Sequence, residues 1–267
     1  MEPLPQFRVS QLLVVLTGFI CQMWCLEVLA SASYTNTIVT PGQDLSITVN
    51  DKTVHYWQAP SLKPLTLANV LITHEVGYRY DSEPLMKGLI RDFAQRGYRV
   101  VSLATPSLDP NDILKESQVA QFETELLTQL NQIMGEAFSD TRYKRFIVSH
   151  GRSSYWLGKL LGQSELKVHG FAAVSTYFPE ASINTQIPAQ LAKLNCFVLD
   201  VYAARAPLWS LQTAQSRRAL SASRQGLYRQ LVIENAGHSF RLHENVLVNR
   251  IDGWMRTSLK EGKGQSN

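Results

Sequence analysis

The 267-residue chain has only three cysteines, and two of them, Cys21 and Cys25, fall within its first thirty-two residues. The third, Cys196, then has no partner for an internal disulfide, so the folded part must be held by its core. Charge is sparse, at 18% of residues, and interspersed. Arg217-Arg218 and Arg142 with Lys144-Arg145 are short clusters of the kind that sit on solvated surface, and no nucleic-acid partner is expected. Internal repeats and low-complexity tracts are absent, apart from a polar tail after Lys260, which excludes repeat architectures. Gly-x-Gly-x-x-Gly spacing is missing as well, and with it a phosphate-cradling loop. His74, His150 and His238 could converge at one mouth, but none of the six histidines pairs with another at i to i+4 spacing and no zinc signature is present. No metal and no cofactor are therefore assigned.

What is present begins with a leader. Arg8 supplies a positive start, Leu12 to Cys21 an apolar stretch, and Ala30-Ser31-Ala32 the small-x-small pattern of a signal-peptidase site. Residues 1–32 read as a signal peptide, and export follows. The competing reading is a retained anchor. Gln11, Gln22 and Glu27 interrupt the run and leave it shorter than the roughly 20 residues a bilayer span needs, so no stable span is expected after cleavage. Neither Cys21 nor Cys25 follows the pattern of a lipoprotein signal. Cleavage removes Glu2, Arg8 and Glu27, leaving 25 basic and 20 acidic residues, a net charge of +5. Residues 33–267 are apolar enough to bury a full core as a single domain.

The remaining chain predicts an antiparallel hairpin, Leu45 to Val49 and Thr53 to Gln58 around Asn50-Asp51. Alternating strands and helices follow. The strands are Ala68 to Thr73, Arg99 to Leu103, Arg145 to Val148, Gly170 to Val174, Cys196 to Val201 and Tyr228 to Ile233. The helices are Leu85 to Gln95, Gln118 to Met134, Ser153 to Leu161, one near Leu211 to Ala222, and Glu244 to Leu259. The fold class is α/β, a doubly wound and mainly parallel sheet with an N-terminal antiparallel hairpin. In such a sheet ligands bind at the carboxyl ends of the strands. Four loops there carry recognisable chemistry: Thr73-His74-Glu75-Val76-Gly77, Thr105-Pro106, Ser149-His150-Gly151-Arg152-Ser153 and Asn235-Ala236-Gly237-His238-Ser239-Phe240.

In that order, and with the strand opening Gly97-Tyr98-Arg99-Val100-Val101 and the strand end Leu199-Asp200-Val201-Tyr202, the chain resembles the α/β-hydrolase superfamily. It is most similar to an uncharacterised group of exported bacterial α/β-hydrolase-like proteins. The resemblance spans roughly residues 65–258. It implies an α/β-hydrolase-like domain and, in a bacterium, a periplasmic location. It also implies a Ser, acid, His order, which here falls on Gly151, Asp200 and His238. The elbow position holds a glycine. Positive φ is welcome to glycine there, but it offers no oxygen to attack a carbonyl. Ser149 and Ser153 are the alternative nucleophiles, two residues either side. Ser149 belongs to the strand end and Ser153 to the first helical turn, where a hydroxyl more often caps backbone N–H groups. His238 reads equally as a retained base or as a hydrogen-bonded loop residue. Asp200 reads as its orienting acid or as a cap for the turn at Ala203 to Pro207; the more usual acid position falls near Arg205, which cannot accept a hydrogen bond. Many relatives carry glycine where Glu75 stands, so a carboxylate enters the region where an oxyanion would develop, which argues against acyl transfer.

The expected function is that of an exported, non-hydrolytic protein of this fold that binds a small molecule, an envelope component or another protein. The alternatives are an active carboxylic ester or amide hydrolase using a displaced serine or a water activated by His238, and a scaffold without a ligand. Tyr177 to Leu194 is a short candidate lid.

Overall fold

In the computed structural model, β1 (Gln43–Val49) and β2 (Lys52–Ala59) pair antiparallel with Val49 opposite Lys52. Asn50 and Asp51 between them both have positive φ, 47° and 60°, as a two-residue turn joining twisted strands requires. The structure describes residues 40–78, 84–106, 108, 109, 115–224 and 226–264. The signal peptide read over residues 1–32 lies outside the described residues. Among the described residues no helix is long and apolar enough to cross a membrane.

The other strands are β3 (Ala68–Thr73), β4 (Tyr98–Leu103), β5 (Arg145–His150), β6 (Gly170–Val174), β7 (Phe197–Ala203) and β8 (Tyr228–Ile233). They form one eight-stranded sheet in the order β1-β2-β4-β3-β5-β6-β7-β8. Pairing is antiparallel between β1 and β2 and between β2 and β4, and parallel from β4 onward. Every residue of β3 and β6 is buried, as central strands covered on both faces must be.

Alternation divides the core into two layers. Val70, Ile72, Val148 and Val201 face α1 (Pro84–Arg96) and the C-terminal helix α8 (Glu244–Gly264). Leu71, Ile147, Ala173 and Val198 face α2 (Glu116–Ala137) and α3 (Gly151–Gln163). Two short helices, α4 (Ala181–Asn184) and α5 (Ile187–Ala192), occupy the candidate lid; Ile187 and Leu191 are buried in the second layer. The single helix expected near Leu211 to Ala222 is two, α6 (Leu208–Leu211) and α7 (Ala214–Ser223).

The solvated reading of Arg217-Arg218 needs correction. Arg217 is fully buried. Its Nε donates to Asp200 Oδ2 at 2.8 Å, and its guanidinium also bonds the Thr213 hydroxyl. Helical spacing turns Thr213 and Arg217 inward together, and a buried guanidinium persists only with such partners.

Gly170 opens β6 with no room to spare: a Cβ there would lie 2.8 Å from the ring atoms of both Phe146 and Trp254. Overpacking costs typically 1–3 kcal/mol, so Gly170→Ala should lower the unfolding free energy by about 1–3 kcal/mol, read as a lowered urea midpoint. An unchanged midpoint would show that the two rings yield freely.

Candidate functional site

The parallel strands carry five loops to one edge of the sheet. β3 delivers Glu75, β5 delivers His150 and Gly151, β6 is followed by Tyr177, β7 by Trp209 on α6, and β8 by His238. The β5-to-α3 turn has Gly151 at its tip with φ +64°, a conformation most side chains resist.

Glu75 occupies the space beside that tip. A Cβ built on Gly151 would overlap Glu75 Oε2 and lie 2.7 Å from its Cδ. The carboxylate is held there by directed donors. Oε1 accepts the backbone N–H of Val76 at 3.0 Å, the backbone N–H of Arg152 at 3.1 Å and Arg152 Nε at 2.8 Å. Oε2 accepts the same Arg152 N–H at 3.2 Å. Arg152 is the second residue of a 13-residue helix, whose exposed N–H groups and dipole favour an anion at this end. Burial alone would push the Glu75 carboxyl up. The His238 imidazole facing Oε2, the hydrogen bonds from Arg152 and the charges of His150 and Arg152 outweigh it and hold the group below its ordinary value.

On the other side of the carboxylate lies His238, its Nε2 3.9 Å from Glu75 Oε2. The His150 and His238 rings are tilted against each other with centroids 4.8 Å apart. His150 Nε2 donates to the His238 carbonyl at 3.1 Å. Tyr177 and Trp209 pack on one another and each meets the His238 ring edge-on, at 5.3 and 5.2 Å. Burial, and then the Glu75 charge, push the Tyr177 hydroxyl up to about 12. The His238 loop is aimed from outside: the Arg205 N–H donates to the Ala236 carbonyl, its guanidinium to Asn235 Oδ1, and Phe240 is fully buried. Asn235 and Phe240 both have positive φ, a strained geometry that these anchors sustain.

Among the residues singled out from sequence, Gly151, His150 and His238 converge. Ser149, Ser153 and Asp200 lie apart from them in the hydrogen-bond network. Ser149 accepts the Thr73 hydroxyl at 2.7 Å, and Ser153 donates to the Thr105 hydroxyl at 2.7 Å. Both serines are fully buried, and Ser153 bonds a side chain in place of the expected helix cap. Asp200 Oδ2 accepts from Arg217, the Tyr228 hydroxyl and Gln230, so it neither caps the turn at Ala203 to Pro207 nor reaches His238. His238 Nδ1 is buried without a hydrogen-bond partner among the described residues. His74 bonds the Ser102 hydroxyl at 2.5 Å, away from this cluster. Tyr177 and Trp209 were missed by the sequence reading, although each lies just beyond a strand's carboxyl end.

The family model for a protein of unknown function, DUF3530, matches residues 115–257. No curated protein matches the chain by sequence. Among solved structures, Est1E from Butyrivibrio proteoclasticus is similar with a TM-score of 0.63 at 9% identity, covering 82% of this chain and 99% of its own. The dienelactone hydrolase from Anabaena variabilis gives 0.62 at 13%, covering 82% and 99%. An alpha-beta serine hydrolase homologue from Coxiella burnetii gives 0.60 at 13%, covering 79% and 96%. Together with the mostly parallel sheet, these neighbours show the α/β-hydrolase fold.

Acid should loosen this cluster. Burial lowers the His150 imidazole from 6.5 to about 4, with the neighbouring His238 adding to the effect. The unfolded chain therefore takes up this proton first, and stability falls as pH drops from about 6.5 toward 4. The depressed Glu75 acts in the same direction, its contribution being lost as pH falls through its folded value. By pH 5 the His150 effect alone amounts to about 2 kcal/mol. Urea midpoints at pH 7.5 and pH 5 should show this loss, smaller in His150→Gln; equal losses in both proteins would remove His150 as its source.

Proposed function

The chain belongs to the DUF3530 family, whose function is unknown, and we propose that it is an exported envelope protein of α/β-hydrolase fold that performs no acyl transfer and acts by binding a ligand or partner at the Glu75–His150–His238 mouth. In hydrolases of this fold, the oxyanion is held by the backbone N–H of the residue after the nucleophile and by an N–H from the loop after an early core strand. The corresponding donors here are Arg152 and Val76, and both already bond Glu75 Oε1. That one observation carries the reading: the anion that a hydrolase generates only during reaction is replaced by a permanent carboxylate of the protein itself.

Three further features support it. Gly151 has no side-chain oxygen, and the space a serine would use is filled by Glu75. The alternative hydroxyls, Ser149 and Ser153, are engaged by Thr73 and Thr105. Asp200, the candidate orienting acid, is engaged by Arg217, Tyr228 and Gln230. The site keeps the rings of Tyr177 and Trp209 beside a partly exposed imidazole, which suit recognition of a small polar molecule. Export and an envelope role follow from the leader read over residues 1–32.

The natural protein should cleave no short-chain nitrophenyl ester above the buffer rate and should take no label from a fluorophosphonate probe. Turnover or labelling that disappears in Ser149→Ala or Ser153→Ala would overturn the proposal in favour of a displaced-serine hydrolase.

A further inference from the structure

Glu75, His150 and His238 come from three loops separated by 75 and 88 residues of chain, so no linear spacing announces them as a set. In space, one nitrogen from each imidazole and one carboxylate oxygen all lie within 4.8 Å of one another. We propose that these three residues bind a divalent transition cation of the zinc class, which names a ligand for the mouth and rests on its reading as a binding site.

The donor set fits that class. Two imidazoles and one carboxylate are ligands of borderline hardness, suited to zinc and its neighbours more than to magnesium or calcium, which take oxygen shells. Ligands about 2.0–2.2 Å from a tetrahedral ion stand about 3.4 Å from each other. The His238 Nε2 to Glu75 Oε2 separation is 3.9 Å, so closure there asks for about half an ångström, and bringing the whole set, now within 4.8 Å, to that spacing asks for up to about 1.4 Å, within reach of side-chain rotation. His238 has the freedom for it, its side chain being 23% exposed, while Glu75 and His150 are buried.

Surrounding contacts resemble those that orient metal ligands. A ligating carboxylate is normally fixed by hydrogen bonds to its other oxygen, and a ligating histidine by a hydrogen bond to a backbone carbonyl. Glu75 Oε1 is bonded by Val76, Arg152 N–H and Arg152 Nε, and Oε2 is the oxygen turned toward His238. His150 bonds the carbonyl of His238 itself, tying one candidate ligand to the backbone of another. The Arg152 guanidinium opposes a second cation nearby, but it approaches Oε1 and also bonds the Val76 carbonyl, so it faces away from Oε2. Three protein ligands leave a tetrahedral ion one further position, which water or an oxygen donor of a small molecule would take, and Tyr177 and Trp209 pack beside it on the His238 ring.

The test uses the full chain, freed of metal with a chelator and titrated with Zn2+ by calorimetry and with Co2+ by visible absorption. One equivalent should bind, with tetrahedral cobalt bands. His238→Ala and Glu75→Gln should each weaken binding by at least about tenfold. His55→Ala, which alters an exposed histidine paired with Asp44, should leave it unchanged. Far-UV circular dichroism of the metal-free variants checks that they fold, and His150→Gln replaces either one that does not. Absence of one-equivalent binding, or binding insensitive to the site variants, overturns the proposal. Ester cleavage by the metal-free chain would sink the non-hydrolytic reading alone and leave this one standing or falling on the titration.

Discussion

The carboxylate of Glu75, lodged at the start of α3, is the contact around which the rest of the site is organised. It takes the backbone N–H groups of Val76 and Arg152, pairs with the Arg152 guanidinium, and faces His238 with its second oxygen. Each bond is charge-assisted and mostly shielded from solvent, the regime in which such interactions are strongest. The arrangement requires the absence of a side chain at residue 151, since any Cβ there would overlap Oε2. Glycine at the turn and glutamate in the neighbouring loop thus form one compensated pair: one residue withdraws its side chain and the other fills the space.

This pairing separates fold from chemistry. The sheet order, the sharp turn after β5 and the histidine after β8 are the parts of a hydrolase scaffold, and the structural neighbours share the fold. Function resides in the side chains grafted onto it. Here those side chains bring an anion and two imidazoles together beside the rings of Tyr177 and Trp209, the arrangement on which the proposed ligand-binding role rests. Asp200 illustrates the same shift. It stands in the middle of β7, not at its carboxyl end, and its charge is neutralised by buried Arg217; removing one partner of such a pair is strongly unfavourable, so the carboxylate stays committed to the core.

Much of the fold was legible in the sequence. Strands β3, β6 and β8 begin and end where the apolar runs and turn residues indicate, and Asn50-Asp51 marks the hairpin turn because these side chains tolerate positive φ. Helix boundaries drifted by a few residues, as ends governed by caps and local packing do. The candidate site was half legible. Gly151 and His238 stand out by motif, and Glu75 stands out as an acid where an oxyanion would form. The reach of its side chain to a turn 76 residues onward depends on strands β3 and β5 being neighbours, and only the sheet register makes that so. Arg217 was misjudged because its neighbour Arg218 suggests a charged surface pair, whereas a single residue step turns the helix by about 100° and can carry one side chain inward and the next outward. Reading Thr213 and Arg217 as a stripe with Asp200 as its partner would have found it.

The most direct measurement compares the rate of fluorophosphonate labelling in Gly151→Ser with that in Gly151→Ser combined with Glu75→Gly. If the carboxylate fills the space and the donors that an attacking serine needs, the single variant stays unlabelled and the double variant reacts. Labelling of the single variant at the rate of the double would contradict the account, because the serine would then be working with Glu75 still in place.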